Sequence, residues 1–180
     1  KETPRSYYAD DDVWSAVYEG ACDELRDAMD LAYLTGQRPA DVRKMRWSDI
    51  RNGALEVRQG KTDKALRILV EVDGKRTGLG LLIDRLRERT VAGMTLVSTP
   101  TGARLTEGTL RSRWDTARVT AAAAHPELAE RIHQFQFRDI RPKAASETSL
   151  DHASKLLGHS KQQITQTVYR RVGETVLPTK

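Results

Sequence analysis

A single stretch of this 180-residue chain alternates as a β-hairpin does, and the apolar residues on both sides of it are spaced as in helices. Residues 54–57 alternate between apolar and polar side chains, residues 59–64 have the polar composition of a turn, and residues 66–72 form the return strand. The predicted sheet is therefore small and antiparallel. We predict an α+β fold that is mainly α-helical with one small antiparallel β-sheet.

Helix-terminating residues divide the rest of the chain. The acids at 10–12 suit the positive end of a helix dipole, so a helix is predicted to begin there. Gly20 is predicted to separate this helix from a second one, which ends at Gly36. Residues 1–9 are predicted to be an N-terminal tail or linker, and residues 170–180 to be extended. Further helices are predicted over residues 39–45, 82–90, 106–125, 127–132, 140–148, 152–157 and 161–169.

The composition excludes several classes of protein. Hydrophobic residues make up 38% of the chain and charged residues 31%, which is typical of a soluble globular domain. No apolar run approaches the ~20 residues that a bilayer-spanning helix needs, and we expect no secretory signal. Cys22 is the single cysteine, so an internal disulfide and a cysteine-based zinc site are excluded. We therefore expect a cytoplasmic location without a membrane partner.

Positive charge is concentrated in one part of the chain. The formal net charge is +5. Residues 36–76 alone contain eleven Lys and Arg against six Asp and Glu, so this region carries an excess equal to that of the whole chain. A basic region of this kind suits contacts with the phosphates of a nucleic acid.

Five short segments carry the residue types of phosphate chemistry. Each of them alone also has an ordinary structural interpretation, such as a solvated arginine at a helix start or a half-buried packing tyrosine. In chain order, the segments are Thr35-Gly36-Gln37-Arg38, Gly60-Lys61-Thr62, Arg138-Asp139-Ile140-Arg141, Leu157-Gly158-His159 and Tyr169. Taken together and in this order, they resemble the catalytic domain of tyrosine recombinases, especially the phage-type integrases, over roughly residues 10–175.

The resemblance implies a role for each of these residues. Two arginines and a histidine would hold the scissile phosphate, a hairpin lysine would protonate the leaving oxygen, and a tyrosine would attack. The positions that match these roles, in the same order, are Arg38 and Arg141, His159, Lys61 and Tyr169. Asp41 occupies the place of an acid that supports the first arginine. Arg138 stands where the family has a histidine, and as a further candidate catalytic residue it could hydrogen-bond a phosphate oxygen. Because an arginine cannot shuttle a proton near neutral pH, the identity of the general base stays open.

The same residues make chemical sense without the family name. Two guanidinium groups can each hold nonbridging phosphate oxygens bidentately. A tyrosine hydroxyl, with an ordinary pKa near ~10, attacks poorly unless a neighbour takes its proton or cations stabilise the phenolate. A lysine on a hairpin can act as the general acid, and Lys64 is a rival for Lys61 because both lie in the same turn. A phosphotyrosine ester conserves the energy of the broken bond, so we expect neither a cofactor nor a metal.

The function that the resemblance implies is site-specific DNA recombination, the integration and excision of a mobile element, through a 3′-phosphotyrosine intermediate. Two alternatives stay open: a catalytically silent DNA-binding module of the same fold, and an enzyme resembling type IB topoisomerases. Residues 10–180 are expected to be the catalytic domain, with the family's separate N-terminal DNA-clamping domain absent from this chain. The expected partners are double-stranded DNA and further copies of the chain, as a tetramer on DNA, in contact through a C-terminal segment that includes Val172, Val176 and Leu177.

Overall fold

The computed structural model describes residues 5–89, 93–159 and 161–169. Its helices are α1 (Asp11–Glu19), α2 (Asp23–Thr35), α3 (Pro39–Val42), α4 (Gly78–Arg87), α5 (Glu107–Ala124), α6 (Ala129–Gln134), α7 (Ile140–Ser146), α8 (Leu150–Leu157) and α9 (Gln162–Ile164). Its strands are β1 (Ile50–Arg51), β2 (Ala54–Arg58), β3 (Ala65–Leu69), β4 (Glu71–Val72) and β5 (Lys75–Arg76). Short 3-10 turns cover Trp47–Asp49, Pro126–Leu128 and Phe137–Asp139, and a π-helical turn covers Thr165–Tyr169. The predicted α+β fold is confirmed.

The first two helices begin and end where the sequence predicts. The side chain of Asp10 accepts a hydrogen bond from the backbone N–H of Val13 at 3.2 Å and caps α1. Gly20 ends α1, and Gly36 ends α2 with a left-handed φ of 61°. A side chain at residue 36 would also come within 3.1 Å of Leu156, so the turn before Arg38 is tightly enclosed.

The hairpin forms, but its return strand is shorter than predicted. β1, β2 and β3 make an antiparallel sheet in that order, with Ala54 opposite Leu69 and Arg58 opposite Ala65. The prediction of one return strand over residues 66–72 is wrong at its end. β4 leaves the sheet after Leu69 and pairs with β5 in a separate two-stranded ribbon, because Asp73 and Gly74 both adopt positive φ and turn the chain back.

The core is built mainly from residues of the helices. Leu25 and Met29 of α2 are fully buried, and Ile83 of α4 packs in the same cluster. Trp114 of α5 meets Phe135 edge to face at 4.9 Å, and its indole N–H donates to the Phe135 carbonyl at 3.1 Å. Across the described ranges, the helices lack the combination of length and apolarity that a membrane crossing requires.

The chain before α1 lies against the body of the domain. Residues 5–9 have no regular secondary structure. The guanidinium of Arg5 pairs with the carboxylate of Asp139 at 3.0 Å, and the Tyr7 hydroxyl donates to the Arg131 carbonyl at 2.7 Å. The side of the 3-10 turn that precedes α7 is therefore covered by this N-terminal segment.

Gly80 gives a stability prediction with an unusual sign. A glycine-to-alanine change inside a helix ordinarily stabilises a protein by about 0.5–1 kcal/mol. A Cβ at residue 80 of α4 would lie 2.1 Å from the carbonyl oxygen of Val70, where backbone atoms cannot give way. We expect Gly80→Ala to lower the free energy of unfolding by about 2 kcal/mol, measured by urea denaturation. Gly108→Ala in α5 is the matched control, because its nearest neighbouring atom is 3.9 Å away, and it should be neutral or stabilising.

Candidate active site

Arg141 is the centre of the site. It lies on α7 and is 3% exposed. Its Nη1 donates to the carbonyl of Gly36 at 2.5 Å, and its Nη2 donates to the carbonyl of Leu157 at 2.9 Å. Both carbonyls stand at the C-terminal ends of helices, where main-chain oxygens have no partner within the helix. The guanidinium therefore ties the ends of α2 and α8 together in a fixed orientation.

Arg38 brings a second positive charge to this point. The sequence Gly36-Gln37-Arg38 leads out of α2, and Arg38 is the residue before α3. Burial and the charge of Arg38 lower the pKa of Arg141 to about 10, so Arg141 is still charged at neutral pH. The buried Nη1 of Arg38 and the buried Nε of Arg141 have no hydrogen-bond partner among the described residues. Two adjacent cations with unused donors make a site for an anion.

Asp41 connects the segment that carries Arg38 to the hairpin. Its Oδ1 accepts a hydrogen bond from the backbone N–H of Gly60 at 3.0 Å, and its side chain is nearly completely buried. The negative charge of Asp41 acts to raise the pKa of Arg141, although burial and Arg38 outweigh it. The acid thus supports the arginine pair electrostatically and fixes the start of the hairpin turn.

His159 lies beside Arg141 with both ring nitrogens engaged. Its Nε2 is 3.3 Å from Nη2 of Arg141, and its Nδ1 is 2.7 Å from the hydroxyl oxygen of Thr165. Because a guanidinium only donates, we assign Nε2 as the acceptor and place the imidazole proton on Nδ1, facing Thr165. Burial, followed by the charges of Arg141, Arg38 and Lys64, lowers the pKa of His159 to about 4. The imidazole is therefore neutral at physiological pH, with the lone pair of Nε2 directed at Arg141.

Tyr169 closes the site from the C-terminal side. Its ring centroid is 4.8 Å from that of His159 and 5.1 Å from Cζ of Arg141. The ring also packs against the buried side chains Ala145, Ala153 and Leu157. A π-helical turn brings Tyr169 to this position, and such turns add a residue to a helix and reorient the side chains that follow.

The two hairpin lysines differ in their relation to this cluster. Lys61 is exposed at the tip of the turn, whereas Lys64 is half-buried and its charge contributes to the lowered pKa of His159. Lys64 is therefore within electrostatic range of the site without a substrate present. The choice between the two lysines as the proton donor stays a hypothesis.

Arg138 and Arg141 are three residues apart in the sequence but differ in solvent exposure. It lies in the 3-10 turn Phe137–Asp139 and its side chain is exposed, whereas Arg141 is buried on α7. The structure thus brings Arg38, Arg141, His159 and Tyr169 together and leaves the Arg138 side chain accessible to solvent. Any contact between Arg138 and a phosphate would have to be made from the surface.

Three polar residues of the site were not predicted from the sequence. Gln37, Gln59 and Thr165 are almost completely buried, with exposed fractions of 1%, 0% and 0%. Each lies in a polar segment that ordinarily predicts a solvated turn or helix surface. The signal in the sequence is their spacing, because each lies within six residues of a candidate site residue: Arg38, Lys61 or His159.

Comparison with known proteins identifies the family. The model of the phage integrase family matches residues 11–175. The chain belongs to this family. The matched range spans the positions of all six candidate residues, from Arg38 to Tyr169.

Two curated relatives are integrases of bacteriophages. The integrase of Enterobacteria phage 434 is 30% identical over 151 residues, and that of Escherichia phage lambda is 29% identical over the same length. Each alignment covers 82% of this chain and 41% of the relative. The chain therefore spans less than half the length of these relatives.

Solved integrase structures share the fold. The lambda integrase catalytic core superposes with a TM-score of 0.69 and 27% identity, over 86% of this chain and 96% of that one. A lambda integrase dimer bound to a COC′ core site superposes with a TM-score of 0.75 and 23% identity, over 100% of this chain and 53% of that one. The architecture described above is thus that of an integrase catalytic core.

Proposed function

We propose that this integrase-family chain is the catalytic part of a site-specific DNA recombinase that cleaves and rejoins DNA through a 3′-phosphotyrosine intermediate. The observation that carries the proposal is the placement of the Tyr169 ring against Arg141, beside His159 and a second arginine with an unused buried donor. An aromatic hydroxyl next to a preorganised anion site is the arrangement that attack on a phosphodiester requires.

The arginine pair would bind the scissile phosphate. Burial of two like charges raises the free energy of the unliganded site, and an anion between them lowers it. Arg141 is held by two backbone carbonyls, so its Nε–H, which has no partner among the described residues, is oriented before the substrate arrives. Donors fixed in this way stabilise the charge that develops on the nonbridging oxygens without a cost of reorganisation.

The proposed reaction transfers the phosphoryl group from a DNA oxygen to Tyr169. The phenolic oxygen attacks phosphorus, the new P–O bond forms, and the bond to the 5′ oxygen breaks. Nε2 of His159, which is an acceptor in the free site, takes the phenolic proton. The negative phosphate opposes the cations that depress the pKa of His159, so the imidazole becomes a better base once DNA is bound. Lys61 donates a proton to the leaving 5′ oxygen, and Lys64 is the alternative donor.

The proposal also covers how the whole protein assembles on DNA. The solved relatives include a lambda integrase tetramer bound to a Holliday junction. By analogy, we propose that residues 10–180 form the catalytic domain, act with a separate DNA-clamping domain, and assemble as a tetramer on double-stranded DNA. The C-terminal segment that was predicted to contact a neighbouring copy lies outside the described residues.

One observation favours a second candidate, a silent DNA-binding module of the same fold. Arg138 stands at the position of the family's histidine and cannot exchange a proton near neutral pH. In the arrangement described here, His159 can supply that function, which favours an active enzyme. The two candidates differ in whether a covalent adduct forms.

Covalent trapping tests the proposal directly. Full-length protein is incubated with DNA that carries a candidate attachment sequence and a nick next to the scissile phosphate, so that cleavage releases a short fragment and religation fails. We expect a protein–DNA adduct on a denaturing gel. Binding without an adduct would instead support the silent module, and relaxation of plasmids that lack a defined site would support the topoisomerase-like alternative.

The lowered pKa of His159 predicts a dependence of stability on pH. The pKa is about 4 in the folded protein against 6.5 as the ordinary value, so the unfolded chain binds a proton first as pH falls. The contribution of His159 is therefore fully present above pH 6.5 and is lost as pH falls from 6.5 towards 4. Urea denaturation across this range should show a smaller loss of stability in His159→Gln than in the unmodified protein. Equal losses would contradict the shift.

A further inference from the structure

Two buried glutamines link the segments that carry the site residues. The Nε2 of Gln59 donates to Oε1 of Gln37 at 2.7 Å and to the carbonyl of Leu157 at 3.0 Å. The Nε2 of Gln37 donates to the carbonyls of Thr35 and Leu156 at 2.8 and 2.9 Å. Each amide nitrogen thus uses both of its hydrogens, so the orientation of both amides is determined.

This amide pair shares a partner with the catalytic arginine. The Leu157 carbonyl that accepts from Gln59 also accepts from Nη2 of Arg141 at 2.9 Å. Leu157 lies two residues before His159, and Gln59 lies two residues before Lys61. One oxygen atom therefore connects the hairpin to the arginine and to the backbone that leads to the histidine.

Gln59 also organises the hairpin turn itself. Its backbone N–H donates to the Lys64 carbonyl at 2.9 Å, and its own carbonyl accepts from the N–H of Asp63 at 2.8 Å. Its side-chain Oε1 accepts from the hydroxyl of Thr62 at 2.6 Å. The Lys61 side chain, at the centre of this turn, makes no hydrogen bond or ion pair of its own within the part of the chain described.

The hairpin and the end of α8 pack closely against each other at Gln59. Gly158 has a φ of 69°, and a Cβ there would lie 3.0 Å from the side-chain amide of Gln59. A larger residue at 158 would be strained by its backbone and would displace the glutamine. The glycine before His159 is thus explained by close packing against Gln59 as well as by the end of the helix.

We propose that Gln59 is a positioning residue that holds the Lys61 turn against the arginine site, so that the lysine ammonium reaches the leaving oxygen. The proposal rests on the proposed function. A general acid must come within about 3 Å of the oxygen that it protonates, and a long exposed lysine depends on its backbone for that placement. The bridge from Gln59 to Leu157 is the contact that sets the distance between the turn and the arginine pocket.

The test compares two leaving groups. DNA with sulfur in place of the scissile 5′ bridging oxygen releases a thiolate, which is a better leaving group and does not need a proton donor. Full-length Gln59→Leu and Thr62→Val are each assayed for single-turnover cleavage of the oxygen and sulfur substrates, with Lys61→Ala as the reference. Thr62 lies in the exposed turn and its hydroxyl donates to Gln59, so Thr62→Val tests the positioning by Gln59 even if Gln59→Leu folds poorly.

We expect Gln59→Leu to cleave the oxygen substrate about 10²-fold more slowly and the sulfur substrate almost as fast as the unmodified protein. Thr62→Val should show a smaller effect of the same kind. Thr95→Val is the matched control, because it removes a buried hydroxyl that donates to the Val97 carbonyl at 2.8 Å, outside the network. It should cleave both substrates at the normal rates.

Four results would overturn the inference, the last of them together with the proposed function. Equal losses on both substrates would show that Gln59 serves the arginine pocket or the fold alone. Normal cleavage of the oxygen substrate by both variants would show that the Lys61 turn does not need Gln59 to position it. Failure of the sulfur substrate to rescue Lys61→Ala would show that Lys61 is not the general acid. An unmodified protein that cleaves neither substrate would instead refute the proposed function, and the inference would fall with it.

Discussion

Tyr169→Phe is expected to abolish the covalent protein–DNA adduct and to leave DNA binding almost unchanged. Without the hydroxyl there is no atom to form the phosphotyrosine ester. The ring packs against Ala145, Ala153 and Leu157 and lies 4.8 Å from the ring of His159, and a phenylalanine keeps all of these contacts. The loss should therefore be chemical, with little change in stability.

Covalent trapping on a nicked substrate measures the effect, and a gel-shift titration measures binding. Tyr18→Phe is the matched control, because it removes a tyrosine hydroxyl that donates to Asp30 at 2.8 Å elsewhere in the domain. That variant should form the adduct at the normal level. An adduct that persists in Tyr169→Phe would refute the assignment of the nucleophile.

Arg141→Lys is expected to reduce single-turnover cleavage by about 10²- to 10³-fold. Lysine keeps the positive charge but replaces a planar fork with a single point of donation. Its single Nζ carries three N–H groups, but one atom cannot stand at the positions of both Nη1 and Nη2, which reach the carbonyls of Gly36 and Leu157, and also at that of the unpartnered Nε. The cleavage rate should fall by more than the affinity for DNA, because the fork is directed at charge that develops in the transition state.

Arg118→Lys separates this chemical effect from a structural one. Arg118 also binds main-chain oxygens, with its Nη1 2.6 Å from the His133 carbonyl and 3.4 Å from the Phe135 carbonyl, but it lies on α5, away from the candidate site. We expect the two variants to lose similar stability in urea denaturation, while only Arg141→Lys loses cleavage. Cleavage by Arg141→Lys within about threefold of normal would contradict the role of the fork.

The fold class could be predicted from local patterns. The alternating residues of the hairpin, the acid cap at Asp10 and the glycines at 20 and 36 all act through contacts within a few positions along the chain. Such contacts can be predicted from a sequence because strand alternation and helix caps have fixed spacings. The same patterns did not predict that β4 leaves the sheet after Leu69, since that depends on a pairing with β5.

The candidate site was predictable as a set of residues and their order, which the family resemblance supplied. Arg38, Arg141, His159 and Tyr169 do lie together. Their environments were not predictable. Arg138 and Arg141 are the same residue type three positions apart, and nothing in the local pattern indicates that only Arg141 is buried.

The sequence by itself determined the helical character of the chain, the position of the β2–β3 hairpin and the chemistry available to the site. The tertiary structure alone decided which of these groups are buried and which oxygens they bind. Arg141 binds a carbonyl 105 residues away, and Gln59 binds one 98 residues away. The physical reason is that desolvation and hydrogen-bond partners are set by segments that meet only after folding, whereas periodicity and capping are set by neighbours along the chain.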